Sequence, residues 1–204
     1  MTFQNKTYRF APNSLSSYLQ RILLLMILPV TLQADPALTE AQLWQQLQQP
    51  GHFLMMRSAR APGFGDPANF DLADCTTQRN LSDDGEKHAS RIGDALRQHG
   101  INSAQLFVSQ WCRTQNTARL LKLGAINTLA ALDKLPHGLD VHRPQQEALD
   151  RWINSQAFST PTLLITHQAN ITAKTGVHTR SGDLVVLEKN TSGNVTVLGK
   201  LHID

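Results

Sequence analysis

Two arginines, a serine and a histidine stand where this chain is placed to do chemistry. The strand-like run His52-Phe53-Leu54-Met55-Met56 leads directly into Arg57-Ser58-Ala59-Arg60. A second predicted strand, Ala104 to Val108, leads through Ser109-Gln110-Trp111-Cys112 to Arg113, and a third, Thr162 to Thr166, ends at His167. A guanidinium is a planar fork that donates two parallel hydrogen bonds to the oxygens of a phosphate. Arg113 and His167 each precede a predicted helix, whose first backbone N–H groups favour an anion. Ser58 offers a hydroxyl, a weak nucleophile unless a base or a metal activates it. The chemistry these types suit is recognition of a tetrahedral oxyanion; the plainer alternative is strand-end residues paired with local carboxylates.

The elements that must position these residues are legible in outline. Thr39-Glu40-Ala41-Gln42 is a capping-box pattern, and the helix it opens carries Leu43, Trp44 and Leu47 before Pro50-Gly51 stops it. After Arg57 comes a long loop rich in Gly, Pro and Asp, from Ala59 to Leu81. Loops of that length are functional or disordered more often than idle. Ser82 caps a helix with Asp83 and Asp84 in its first turn and an apolar stripe of Ala89, Ile92 and Leu96. A short helix is expected over Thr114 to Leu121, another with Pro144 in its first turn, and a third from Gln168 to about Lys174. Two closing strands, Leu184 to Glu188 and Val195 to Leu201, flank Asn190-Thr191-Ser192-Gly193-Asn194. Strands alternating with helices predict a three-layer α/β/α sandwich with a mostly parallel sheet and an antiparallel C-terminal edge. In such sheets ligands bind beyond the carboxyl ends of the strands, where Arg57, Ser58, Arg113 and His167 fall.

Several segments, in consistent order, resemble the histidine phosphatase (phosphoglycerate mutase-like) superfamily. Leu54-Met55-Met56-Arg57-Ser58-Ala59 is similar to the family's strand into Arg-His-Gly or Arg-His-Ala. Arg79-Asn80-Leu81-Ser82-Asp83-Asp84-Gly85 looks like its Arg-x-Leu-Thr-x-x-Gly helix start, and Ser109 to Ala118 like its Ser-x-x-x-Arg-x-x-x-Thr-Ala. Leu164-Ile165-Thr166-His167-Gln168 is similar to the strand that ends in the second catalytic histidine. The resemblance implies that Arg57, Arg113 and His167 surround a phosphoryl group and that neither metal nor organic cofactor is needed. It also places Ser58 where the family has its nucleophilic histidine. An imidazole attacks phosphorus because much of it is unprotonated near neutral pH, whereas a serine would leave a persistent ester. The resemblance therefore implies a phosphate pocket whose catalysis is impaired; the other reading is a phosphomonoesterase that uses Ser58 or a water with His167. For the family's leaving-group acid Asp133 is the first candidate and Asp66 the second, each otherwise a solvated or capping carboxylate. Phe64 and Phe70 in the long loop are candidates to shape specificity.

Composition bounds the rest. The 204 residues, 41% hydrophobic and 17% charged, suffice for one domain with a real core. The net charge is +3, but Lys6, Arg9 and Arg21 lie in an acid-free leader, so residues 35–204 carry 3 − 3, or zero. That leaves no basic patch for nucleic acid. The leader, residues 1–34, reads as an export signal whose apolar run Ile22 to Leu32 spans 11 residues, short for a bilayer-crossing helix. Cleaved export, which makes the protein periplasmic, an uncleaved membrane anchor and a core helix are the alternatives. Cys75 and Cys112 are an even pair that suits either a disulfide in an oxidising compartment or two buried thiols, and neither has a partner at metal-ligand spacing.

Overall fold

Strands that read as nearly unbroken apolar runs need cover on both faces. The computed structural model describes residues 37–135 and 139–204, besides positions 2 and 7. In it β1 (His52–Arg57), β2 (Gln105–Val108), β3 (Ile126–Thr128), β4 (Thr162–Thr166), β5 (Leu184–Lys189) and β6 (Val195–Leu201) form one sheet, ordered β3-β2-β4-β1-β5-β6. The first four of that order are mutually parallel; β5 runs antiparallel to β1, and β6 to β5.

Successive strand residues point to opposite faces, and here they feed two separate cores. Leu54, Met56, Leu163 and Ile165 join Leu43 of α1 (Glu40–Gln46), Ile92 of α2 (Asp83–Gln98) and Leu121 of α3 (Cys112–Leu121). Phe53, Met55 and Leu164 join Leu149 of α4 (Leu139–Ser155) and Ile171 of α5 (Gln168–Thr175). The result is the expected three-layer sandwich with an antiparallel edge.

Local chemistry sets the helix ends. Thr39 Oγ1 accepts from the Gln42 N–H, and Gln42 Oε1 accepts from the Thr39 N–H at 2.8 Å, so both halves of the capping box are made. Ser82 caps α2 through the Gly85 N–H. A Cβ at Gly85 would sit 2.0 Å from the Arg60 carbonyl oxygen, so only glycine lets α2 pack against the segment that follows Ser58. Gly85→Ala is expected to lower stability by about 1–3 kcal/mol, measured as a shift of the urea midpoint.

Three expectations need correction. β3, half-covered Ile126 and two exposed residues at the sheet edge, has no apolar period to announce it. α3 begins at Cys112, not Thr114, so Arg113 lies inside its first turn. α4 begins at Leu139 and carries Pro144 in its interior rather than in its first turn; a missing N–H that early removes a single rung of the ladder. The leader's apolar run, Ile22 to Leu32, lies outside the described residues, as does His137. Among the described residues no helix is long and apolar enough to cross a membrane.

Candidate phosphate-binding site

The carboxyl ends of β1, β2 and β4 deliver their following residues to one place. β4 lies between β1 and β2, with Arg57 registered against Thr166 and Val108 against Ile165. Arg57 and Ser58 leave β1, Arg113 starts up α3 after β2, and His167 closes β4 as the cap of α5. All four line a single cleft of about 270 Å³, together with Arg79, Lys134 and the loop residues Ala61 to Gly65 except Pro62.

The cleft is strongly cationic. Arg113 is 2% exposed. Burial first, and the nearby charge of Arg79 second, pull its guanidinium down to about 10. Arg57, half-buried, is shifted the same way by burial and again by Arg79. Like charges brought together in a partly dry cavity oppose one another and are relieved by an anion. Among the described residues the carboxylate paired with this group is Asp66, which accepts from Arg113 Nη1 at 3.1 Å and from Lys134 Nζ at 2.8 Å. Burial opposes its ionisation, but the Lys134 hydrogen bond and the Arg113 charge hold Asp66 below the usual carboxylate range.

The guanidiniums are held but not exhausted. Arg57 Nη1 donates to Gln168 Oε1 at 2.8 Å and to the Thr179 carbonyl at 2.7 Å. Its Nε and Nη2 hydrogens meet no acceptor among the described residues. Arg79 Nε donates to the Gly65 carbonyl at 3.0 Å, and its Nη1 to Ala61. Those two bonds fold the loop after Ser58 over the cleft. Phe70 of this loop stacks on Trp111, with ring centroids 5.2 Å apart, while Phe64 is fully exposed at the cleft mouth.

His167 has a defined proton. Arg113 Nη2, which is only a donor, approaches His167 Nδ1 at 3.0 Å, so that nitrogen accepts. Nε2 then carries the hydrogen and donates to Ser109 Oγ at 2.8 Å. Burial, followed by the Arg113 charge, pushes the imidazole well below its ordinary value of 6.5, so it is neutral near pH 7. Both nitrogens are thus occupied, and neither takes a proton from Ser58. Ser58 is 5% exposed, its backbone N–H bonds the Thr166 carbonyl at 3.1 Å, and its hydroxyl has no hydrogen-bond partner among the described residues.

The two candidate acids exchange places. Asp133 does not line the cleft: its oxygens accept from the Gln110 N–H at 2.7 Å and from Gln110 Nε2 at 2.8 Å. Burial raises its pKa against the hydrogen bonds from Gln110. Asp66 is the carboxylate at the cleft. Sequence reasoning gave no role to Arg79 or Lys134. Arg79 was visible as the arginine of the Arg-x-Leu motif, whereas nothing marked Lys134.

Cys75, in a short 3-10 turn over Cys75–Thr77, is joined to Cys112 by a disulfide. The bond ties the loop bearing Asp66 and Arg79 to the residue just before Arg113. Gln78 Oε1 adds a second tie, accepting from the Cys112 N–H at 2.9 Å.

The fold has known counterparts in three dimensions. No protein-family model and no curated protein matches the sequence. The protein histidine phosphatase SixA, solved with tungstate, superposes with a TM-score of 0.54 at 16% identity, covering 74% of this chain and 96% of that one. The mycobacterial glucosyl-3-phosphoglycerate phosphatase Rv2419c, solved with VO3, gives 0.55 at 14% identity, covering 72% and 96%. The alpha-ribazole phosphatase from Shigella flexneri gives 0.54 at 12% identity, covering 72% and 94%. The chain has the histidine phosphatase fold.

Proposed function

We propose that this protein binds phosphate or a phosphorylated small molecule in the cleft between Arg57, Arg113 and His167, and that its phosphomonoester hydrolysis is impaired because Ser58 occupies the nucleophile's position. One observation carries the reading: four cationic side chains converge beside Ser58, and among the described residues Asp66, bonded to Arg113 and Lys134, is the one carboxylate paired with them. An incoming phosphate dianion offers that cluster more charge than one carboxylate does. The free Nε and Nη2 hydrogens of Arg57 are placed to bind it first, and Arg113 joins by exchanging Asp66 for a phosphate oxygen. Solved structures of the same fold hold the phosphate analogues tungstate and VO3. Impairment is supported by the proton arrangement. An active serine needs a base on its hydroxyl, and the accepting nitrogen of His167 is already taken by Arg113. The reading requires no metal or organic cofactor and no nucleic-acid partner. We place the protein in the periplasm, or on the membrane through its leader; the leader's composition and the Cys75–Cys112 bond support an exported, oxidising setting.

Calorimetric titration with inorganic phosphate tests the site. The parent is expected to bind one phosphate per chain, and Arg113→Ala to weaken binding about 100-fold, the loss of a buried charge-assisted pair. Because Arg113→Ala also leaves Asp66 short of a partner, Arg57→Ala serves as the second variant, with at least a tenfold loss. Unchanged affinity in both variants would refute the assignment.

A further inference from the structure

Ser181 lines the phosphate cleft and also a second, larger cleft of about 430 Å³ beside it. Three guanidiniums reach that second cleft from three separate segments: Arg60 from the loop after β1, Arg91 from α2, and Arg180 from the turn before β5. None of the three makes an ion pair with an Asp or Glu side chain among the described residues. Arg91 uses only its Nε, donating to the Asp204 main-chain oxygen at 2.8 Å, and the side chains of Arg60 and Arg180 donate to no described residue.

Two carboxylates lie in the same cleft, and neither neutralises it. Asp84 is exposed at the start of α2, and Asp204, fully exposed, accepts from His202 at 2.9 Å. Asp183, completely buried, is taken up by Lys200, His202 and the Arg180 backbone N–H. The convergence of charge registers at His88, which burial pushes below its ordinary value and which the charges of Arg91 and Arg60 push further. Exposed arginines scattered singly need no explanation. Three facing a common concavity next to a cationic cleft, two of them with no side-chain hydrogen bond among the described residues, are different: an entering anion finds donors that the cleft's two carboxylates leave open.

We propose that this second cleft takes a second anionic group of the same ligand, so that the protein recognises a small molecule with two phosphate-like anionic groups rather than a simple monophosphate. This rests on the phosphate-site reading above, with one group held by Arg57 and Arg113 and the other by Arg60, Arg91 and Arg180. Joining two binding events on one molecule makes the second effectively intramolecular, which multiplies affinity without any new kind of contact.

The test is titration of the full chain, at fixed ionic strength, with propyl phosphate and with the bisphosphates of 1,3-propanediol and 1,6-hexanediol. At least one bisphosphate is expected to bind tenfold or more tightly than the monophosphate. Arg60→Ser/Arg180→Ser, two residues that do not themselves line the first cleft, should abolish that advantage and change monophosphate affinity less than twofold. Arg119→Ser/Arg151→Ser removes the same charge from distant exposed positions and should keep the advantage. Equal affinities for mono- and bisphosphates in the parent overturn the proposal, as does an advantage that survives in the Arg60/Arg180 variant or is lost in the Arg119/Arg151 control. Undetectable monophosphate binding, with a bisphosphate still bound through Arg60 and Arg180, faults the first cleft and leaves the second standing.

Discussion

Ser58→His is expected to hydrolyse p-nitrophenyl phosphate at least about a thousandfold faster than the parent chain, within the roughly 10⁶-fold that loss of a nucleophile costs an enzyme. An imidazole at position 58 supplies an unprotonated nitrogen at pH 7 directly beside Arg57, in a cleft already shaped for the phosphoryl group. It would form a phosphoramidate whose P–N bond water can break, where serine would stop at a stable ester. The gain should be confined to esters with good leaving groups. Asp66, the carboxylate at the cleft, is kept ionised by Lys134 and Arg113 against the pull of burial, so it has no proton to give a poor leaving oxygen. Asp133, whose pKa is raised by burial, is turned away toward Gln110. Equal rates in parent and variant would mean that Ser58 does not stand in for a nucleophile.

Reducing the Cys75–Cys112 bond should cost about 4 kcal/mol of stability. The bond closes a sequence separation of 37 residues, and in the chain-entropy model a loop of that size constrains the unfolded state by that amount. For a domain of this length the melting temperature should fall by about 10 °C, measured by calorimetry with and without reductant and checked with Cys75→Ser/Cys112→Ser. Phosphate affinity should fall with it, because the bond anchors the loop carrying Asp66 and Arg79 beside Arg113. An unchanged melting temperature in both reduced protein and double variant would show that the loop is held by other contacts, such as the Gln78 side chain on Cys112.

Much of the fold was readable because its signals are periodic. The middles of β1 (Phe53 to Met56) and β4 (Leu163 to Ile165) are unbroken apolar runs, which require cover on both faces, and Thr39 and Ser82 carry the chemistry that starts a helix. The site was readable where it hangs on strand ends: Arg57, Ser58, Arg113 and His167 meet because parallel strands deliver their carboxyl ends to one edge. What escaped the sequence depends on the path of loops. Arg79 and Asp66 reach the cleft from the irregular segment after Ser58, whose course is set by hydrogen bonds to Gly65 and Ala61 and by the disulfide, none of which has a sequence period. Asp133 outranked Asp66 for the same reason: a carboxylate in a turn gives no sign of which way it faces. The tautomer of His167 was equally invisible, since it follows from Arg113 approaching one ring nitrogen.

The most direct measurement is a crystal structure of residues 35–204 soaked with tungstate. One tetrahedral oxyanion is predicted in the first cleft, within hydrogen-bond distance of Arg57 and Arg113 guanidinium nitrogens, with the His167 ring lining the cleft beside it and the Ser58 hydroxyl facing the metal centre of the anion. Tungstate bound only away from those side chains, with the cleft filled by water at saturating concentration, would contradict the account.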